Sequence, residues 1–186
     1  ALGLSRMQLV KATGIMGALD DGKGQALHPQ RSARSITVLR NDDKVLPVRN
    51  LQSRHIAVVT LDEGGSVDNV FASRGADYAS VTHIVPRVGE SAQQLADRVR
   101  KGNYNLILVT AAGTNAATVE MASKLAASNK NVVLTLLCGP YDIKRYGSAI
   151  TARGTHGVVV TYENTSLAQD YAAQTIFGGN GANGNL

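Results

Sequence analysis

Five residues have the types and spacing that suit ligand binding: Gly113, Thr114, Asn115, Tyr141 and Asp142. Each group follows an apolar run of strand type, and in open parallel sheets ligands bind beyond the carboxyl ends of the strands. Backbone amides at the start of the helix after Asn115 could bind an anion or a sugar hydroxyl. Tyr141 adds a partly apolar surface. The competing interpretation is that all five are caps and turns, with Asn115 capping the helix that follows it.

The sequence contains no recognisable catalytic constellation. The four histidines do not have the spacing of metal ligands, and no serine lies in a G-x-S-x-G motif. Asp62 and Glu63 follow an apolar run but lack the partners of a phospho-receiver site, which favours a solvated turn. Cys138 ends an apolar run with no His or Lys beside it, which predicts an inert thiol. We therefore predict no catalytic residue, no metal site and no cofactor in this chain.

The composition limits the class of protein. The chain has 186 residues, of which 44% are apolar and only 4% aromatic, so aliphatic side chains must fill the core of one domain. The net charge of +5 is spread along the chain without a basic cluster, which argues against nucleic-acid binding. A single cysteine excludes an internal disulfide, and no apolar run reaches the length of a membrane span. The compartment stays open, with a periplasmic or secreted location favoured.

Strand and helix patterns alternate regularly from residue 55 onward. The predicted strands are residues 56–60, 81–85, 106–109, 132–137 and 158–161. The predicted helices are residues 66–74 with Gly75 as the stop, a helix that opens at Ser91 with Gln94 completing a capping box, residues 118–126, residues 141–146, and a last helix capped by Ser166 and ended by Gly178. This alternation predicts a three-layer α/β/α sandwich with a mainly parallel sheet of five or six strands.

The two ends of the chain differ from this pattern. Residues 4–18 predict a helix weakened by glycines, and residues 20–24 have the composition of a linker. Residues 45–48 predict a short extended piece, and residues 178–185 form a tail rich in glycine and asparagine. Because the sequence begins at Ala1 in the middle of a helical pattern, we expect it to be a piece of a longer protein.

Several segments resemble the C-terminal domain of glycoside hydrolase family 3. Residues 33–48, ARSITVLRNDDKVLPV, resemble the run that opens that domain. Residues 132–143 resemble its strand followed by G-x-P-x-D-I, and residues 172–179 resemble its last helix. Residues 11–19 also resemble the helix and linker that leave the family's N-terminal barrel. The order and spacing of these segments make the resemblance more specific than any one of them.

The resemblance implies two domains with different roles. It implies that residues 28–186 form a sandwich domain that packs on a (β/α)8 barrel of the same protein, and that residues 1–27 are the helix and linker from that barrel. In this family the nucleophilic aspartate lies on the barrel, so the resemblance implies that this chain alone is inactive. Its role would be to line a sugar pocket through Gly113, Thr114, Asn115, Tyr141 and Asp142.

One departure from the family pattern bears on the substrate. In the β-glucosidase branch a glutamate acid/base comes from the loop after the third strand, but residues 110–117 contain no glutamate. This favours the β-N-acetylglucosaminidase branch, whose acid/base pair also lies on the barrel, and hence a parent enzyme acting on terminal β-linked N-acetylglucosamine. The alternatives are a β-glucosidase-type member of the family, a non-catalytic carbohydrate-binding or structural domain, and an enzyme of another class on this fold.

Overall fold

The computed structural model describes residues 36–62 and 69–179, which form a three-layer α/β/α sandwich. The strands are β1 (Thr37–Asn41), β2 (Ile56–Leu61), β3 (Val81–Ile84), β4 (Leu106–Ala112), β5 (Val132–Leu137) and β6 (Thr155–Val160). The α-helices are α1 (Val70–Tyr78), α2 (Ala92–Lys101), α3 (Ala116–Ser128), α4 (Gly147–Ile150) and α5 (Ser166–Phe177), and short 3-10 helices cover Asp42–Lys44, Leu51–Ser53 and Ile143–Tyr146. The predictions for residues 1–35, 63–68 and 180–186, which include the turn at Glu63 and the start of the helix predicted at residues 66–74, lie outside the described residues.

The sheet has six strands in the order β1-β6-β5-β4-β2-β3. The five strands predicted from residue 56 onward are all parallel to one another, as expected. The sixth strand, β1, pairs with β6 in the antiparallel direction and closes one edge of the sheet. The predicted sandwich with a mainly parallel sheet is therefore confirmed.

The strands form where they do because they are buried on both faces. Every residue of β2, β4 and β5 is buried, and these strands are runs of Val, Ile, Leu, Ala and Thr. Continuous apolar runs of this kind are typical of central parallel strands covered on both sides. Helices α1 and α5 cover one face of the sheet, and α2, α3 and α4 cover the other.

Several helix boundaries differ from the prediction. The helix predicted at residues 118–126 spans Ala116–Ser128, and the one predicted at residues 141–146 is a 3-10 helix at Ile143–Tyr146 that continues into the α-helix Gly147–Ile150. The first predicted helix does not stop at Gly75. Helix α1 begins after Asn69, whose side chain accepts a hydrogen bond from the amide of Ala72 at 2.8 Å, and it continues through Gly75 to Tyr78. A Cβ at Gly75 would lie 3.3 Å from the ring of Phe177, so the glycine allows α1 to approach α5 closely. The small residue serves helix packing here and does not end the helix.

The cap of the last helix lies one residue earlier than predicted. Thr165, and not Ser166, accepts the capping hydrogen bond, from the amide of Ala168 at 3.1 Å. The predicted stop at Gly178 is confirmed, because this residue has a φ of 85° in the left-handed region. The predicted capping box of Ser91 and Gln94 is also present at the start of α2.

Candidate functional site

The carboxyl edge of the sheet brings the five predicted site residues together. Gly113, Thr114 and Asn115 follow β4, and Tyr141 and Asp142 follow β5. These two strands are neighbours, and their last residues, Ala112 and Leu137, face each other in the sheet register. The two loops are therefore adjacent, although 26 positions separate Asn115 from Tyr141 in the numbering.

A hydrogen bond from Tyr146, a residue that the sequence analysis did not identify, fixes the loop after β4. The hydroxyl of Tyr146, a fully buried residue, donates a hydrogen bond to the carbonyl oxygen of Gly113 at 2.7 Å. Gly113 has a φ of 87°, a conformation that favours glycine. The Tyr146 hydroxyl thus ties the β4 loop to the helical segment after β5, and nothing local in the sequence marks this pairing across 33 positions.

Asn115 is the cap of α3, as the competing interpretation expected. Its side-chain oxygen accepts a hydrogen bond from the amide of Thr118 at 2.7 Å. Asn115 is nevertheless exposed, while Gly113 and Thr114 are half-buried. The loop therefore presents small polar groups to solvent while its geometry is fixed by the helix that it starts.

Tyr141 and Asp142 are both accessible in the loop after β5. Tyr141 is 87% exposed, so almost the whole phenol ring faces solvent. Asp142 precedes the 3-10 helix Ile143–Tyr146 but makes no capping hydrogen bond with its side chain, so the competing interpretation of this residue as a cap is wrong. Its carboxylate lies 3.7 Å from the guanidinium of Arg145. The loop offers an aromatic face and a carboxylate side by side.

Cys138 is not a nucleophile in this setting. The residue is 6% exposed, and burial, followed by the negative charge of Asp142, raises the pKa of its thiol to about 11. The thiol is therefore protonated at neutral pH, and only the thiolate is strongly nucleophilic. This agrees with the prediction of an inert thiol at the end of a buried strand.

A second feature of the same edge was not predicted: an ion pair that fixes the loop after β3. Both nitrogens of the Arg98 fork donate to the carboxylate of Glu90 at 2.7 Å, and the amide of Arg87 donates to it at 2.9 Å. The Glu90 side chain is only 8% exposed. The hydrogen bonds from Arg98 are the main reason why the pKa of Glu90 lies below its usual range. This ion pair shapes one wall of a surface cavity of about 620 Å³ beside α2.

Exposed apolar side chains mark this edge as well. Among the described residues, the large hydrophobic side chains with high exposure are Val85 at 48%, Val88 at 108% and Tyr141. All three lie in loops that follow parallel strands, two after β3 and one after β5. The edge can therefore contact a ligand or another protein surface. The five site residues include one carboxylate, that of Asp142, and no second acid or base that could act with it in catalysis.

The described residues set limits on other chemistry. In residues 36–62 and 69–179 no group of three or more His, Cys, Asp or Glu side chains is placed to hold a metal ion. No helix in the same ranges is long and apolar enough to cross a membrane.

Comparison with known proteins shows likeness in structure without likeness in sequence. No sequence profile of a protein family matches the chain, and no curated protein sequence matches it significantly. A fungal multi-domain β-N-acetylglucosaminidase of glycoside hydrolase family 3 is similar, with a TM-score of 0.69 and 20% identity over 89% of this chain. A family 3 β-N-acetylglucosaminidase from Paenibacillus sp. str. FPU-7 has a TM-score of 0.63 and 17% identity over all of this chain. A β-glucoside phosphorylase, BglX, has a TM-score of 0.62 and 15% identity over 97% of it.

The similar proteins are much longer than this chain. It covers 19% of the fungal enzyme and 34% of the Paenibacillus enzyme and of the phosphorylase. At such identities the likeness shows the fold, an α/β sandwich that occurs as a part of larger family 3 enzymes. It is consistent with a domain of such an enzyme and does not determine the parent enzyme.

Proposed function

We propose that this chain is the C-terminal sandwich domain of a family 3 glycoside hydrolase, packed on a catalytic (β/α)8 barrel and lining its sugar pocket. The resemblance of residues 33–48, 132–143 and 172–179 to that domain supports the proposal. The structural likeness to larger family 3 enzymes supports it independently, because it does not depend on those segments alone. In this proposal the chain positions the substrate, and the barrel supplies the catalytic groups.

The observation that carries the proposal is the exposure of apolar side chains at the carboxyl edge of the sheet. Val85, Val88 and Tyr141 would each lose water contact if a second domain covered this edge. Two strands, β4 and β2, separate the loop that carries Tyr141 from the loop that carries Val85 and Val88, so the covering surface would span the ends of four neighbouring strands. The same edge is where open α/β sheets bind ligands, so the barrel and the sugar would meet this domain at one surface.

Each site residue has a role that its chemistry suits. The exposed ring of Tyr141 offers an apolar face to a sugar ring and a hydroxyl at its tip. The side chain of Thr114 and the backbone of Gly113 can exchange hydrogen bonds with sugar hydroxyls or with an acetamido group. Asp142 can accept hydrogen bonds from sugar hydroxyls, and Asn115 keeps the β4 loop in place by capping α3.

The absence of a glutamate in residues 110–117 supports a parent enzyme that acts on terminal β-linked N-acetylglucosamine. A catalytic acid/base in the β4 loop would need a carboxyl group there, and the side chains of Gly113, Thr114 and Asn115 carry no carboxyl group. The structural likeness to a β-glucoside phosphorylase supports the β-glucosidase-type alternative. The two predict different preferences between an aryl β-N-acetylglucosaminide and an aryl β-glucoside.

The proposal is tested in the full protein encoded by the reading frame that contains this chain. We expect Tyr141→Ala to raise KM for the aryl glycoside about five- to ten-fold, roughly 1 to 1.4 kcal/mol of binding, with kcat changed less than about two-fold. Lys124→Ala, an exposed position on α3, is the matched control and should leave both constants unchanged. An unchanged KM for Tyr141→Ala would remove this residue from the pocket.

A further inference from the structure

A groove of about 300 Å³ opens at the end of the sheet opposite the Tyr141 loop. It lies at the amino ends of the strands, since Arg54 precedes β2, Asn131 precedes β5 and His156 lies at the start of β6. Lys44, Arg49, Asp42 and Asp43 complete its polar lining. We refer to this cavity as the amino-edge groove. Its volume is at the lower end of the range for small-molecule sites.

The acidic residues of the amino-edge groove are partly neutralised. Arg40 Nε donates to the carboxylate of Asp42 at 2.8 Å, and this hydrogen bond is the main cause of the lowered pKa of Asp42. The carboxylate of Asp43 lies 3.8 Å from Nδ1 of His156 and is 91% exposed, so it faces outward into solvent. Asp42 therefore contributes little negative charge to the groove, and Asp43 contributes a hydrated one.

The basic residues are not neutralised in the same way. Among the described residues, Lys44, Arg49 and Arg54 have no carboxylate within ion-pair distance. With Arg40 and Asp42 cancelling each other, these three cations against one aspartate leave a local net charge of +2 when His156 is neutral. Three unpaired cations lining one cavity favour an anionic occupant of more than one charge.

The backbone around the groove is fixed in unusual conformations. Lys44 has a φ of 53°, and Asn131 has a φ of 54°. Asparagine adopts this left-handed region readily, but lysine does so seldom, and such residues cost about 1–3 kcal/mol unless the surroundings impose them. The loop is held by Asn41, whose side chain both donates to the carbonyl of Leu46 at 2.9 Å and accepts from its amide at 2.8 Å. The groove is thus preorganised before any ligand arrives.

We propose that the amino-edge groove binds a small phosphate-bearing anion. A phosphate dianion matches the local charge, and the planar forks of Arg49 and Arg54 suit its oxygens. Lys44 adds a compact positive charge, and the side-chain amide of Asn131 and the imidazole of His156 can complete the hydrogen bonds. A singly charged carboxylate would neutralise the groove less well, so phosphate should be preferred.

The test is a titration of this chain at pH 7.5 and constant ionic strength, followed by amide NMR shifts and calorimetry. The probes are inorganic phosphate, glucose 6-phosphate and acetate. We expect saturable binding of a phosphate probe with Kd below about 10 mM, and shifts concentrated at Lys44, Asn131 and His156. Glucose 6-phosphate binding at least five-fold tighter than inorganic phosphate identifies a phosphomonoester as the natural ligand, and equal binding identifies the free anion. Acetate binding as tightly as both would overturn the proposal.

Two kinds of variant separate a site from general attraction to a basic protein. Arg54→Gln should weaken phosphate binding about ten-fold, and Arg49→Gln, at an exposed position, gives a second variant should the first disturb folding. Lys124→Gln removes the same charge elsewhere and should change the affinity less than two-fold. Equal weakening by all three variants, or the absence of saturation in the parent chain, contradicts the proposed site.

Discussion

The hydroxyl of Tyr146 gives the most specific prediction about how the fold supports the candidate site. Tyr146→Phe keeps a fully buried ring and removes the hydrogen bond that the hydroxyl donates to the carbonyl oxygen of Gly113 at 2.7 Å. Such a hydrogen bond contributes about 0.5–1.5 kcal/mol, and leaving a carbonyl without its donor costs up to about 1–3 kcal/mol. Because Gly113 is half-buried, water can replace part of the lost interaction. We expect a loss of about 1–2 kcal/mol in the free energy of unfolding.

Urea unfolding measures this loss, with the slope of the transition expected to stay the same. In a chain of this size the melting temperature should fall by about 3–6 °C. Hydrogen exchange of the Gly113 and Thr114 amides should become faster, because the β4 loop loses its tie to the segment after β5. Tyr141→Phe is the matched control, and since that ring is 87% exposed it should change stability by less than about 0.5 kcal/mol. A Tyr146→Phe chain as stable as the parent, with unchanged exchange at Gly113, would refute the argument.

Three further predictions follow from buried polar groups. Glu90→Gln should cost about 1–2 kcal/mol at pH 7, measured by urea unfolding. The pKa of Glu90 is lower in the folded chain, so its contribution is present above its usual pKa of 4.5 and is lost as the pH falls through the folded value. Thr135→Val should leave stability unchanged or raise it by up to about 1 kcal/mol, because this fully buried hydroxyl has no hydrogen-bond partner among the described residues. Iodoacetamide at pH 8 should modify Cys138 at least about 100-fold more slowly in the folded chain than in urea, since its pKa rises from 9.0 to about 11.

For each of these three variants or reactions, one experimental result would contradict the prediction. A cost of Glu90→Gln that persists unchanged at pH 3 would mean that the pairing with Arg98 is not electrostatic. A loss of stability in Thr135→Val would mean that its hydroxyl is satisfied in solution, for example by a buried water. Rapid alkylation of Cys138 in the folded chain would mean that the end of β5 opens frequently.

The sheet could be predicted from the sequence because its central strands are nearly uninterrupted apolar runs. The run at residues 132–137 is buried at every position, and five of its six residues are Val or Leu, so its burial on both faces of the sheet is visible in the residue types. Local capping was also predictable where the pattern is short, as at Ser91, whose partner lies three residues away. Such features depend on neighbours in sequence, and those can be read from the chain itself.

The remaining features depend on contacts between distant residues. Gly75 looks like a helix stop, and only the ring of Phe177 beside it explains why the helix continues. The hydrogen bond between Tyr146 and Gly113 connects the segments that follow β5 and β4. The amino-edge groove is lined by residues far apart in the sequence, such as Lys44, Asn131 and His156. Residue types and spacing suggested the β4 and β5 loops as a site, but the sequence could not indicate which of their groups are held and which are exposed.

We propose that this domain supports glycoside hydrolysis without performing it. The most direct measurement compares turnover of an aryl β-N-acetylglucosaminide by this chain alone and by the full product of its reading frame. We predict background rates for the chain alone and clear turnover by a full product that carries a barrel of roughly 300 further residues. Turnover by the isolated chain, or a full product that has such a barrel but cleaves neither the N-acetylglucosaminide nor the β-glucoside, would contradict the claim.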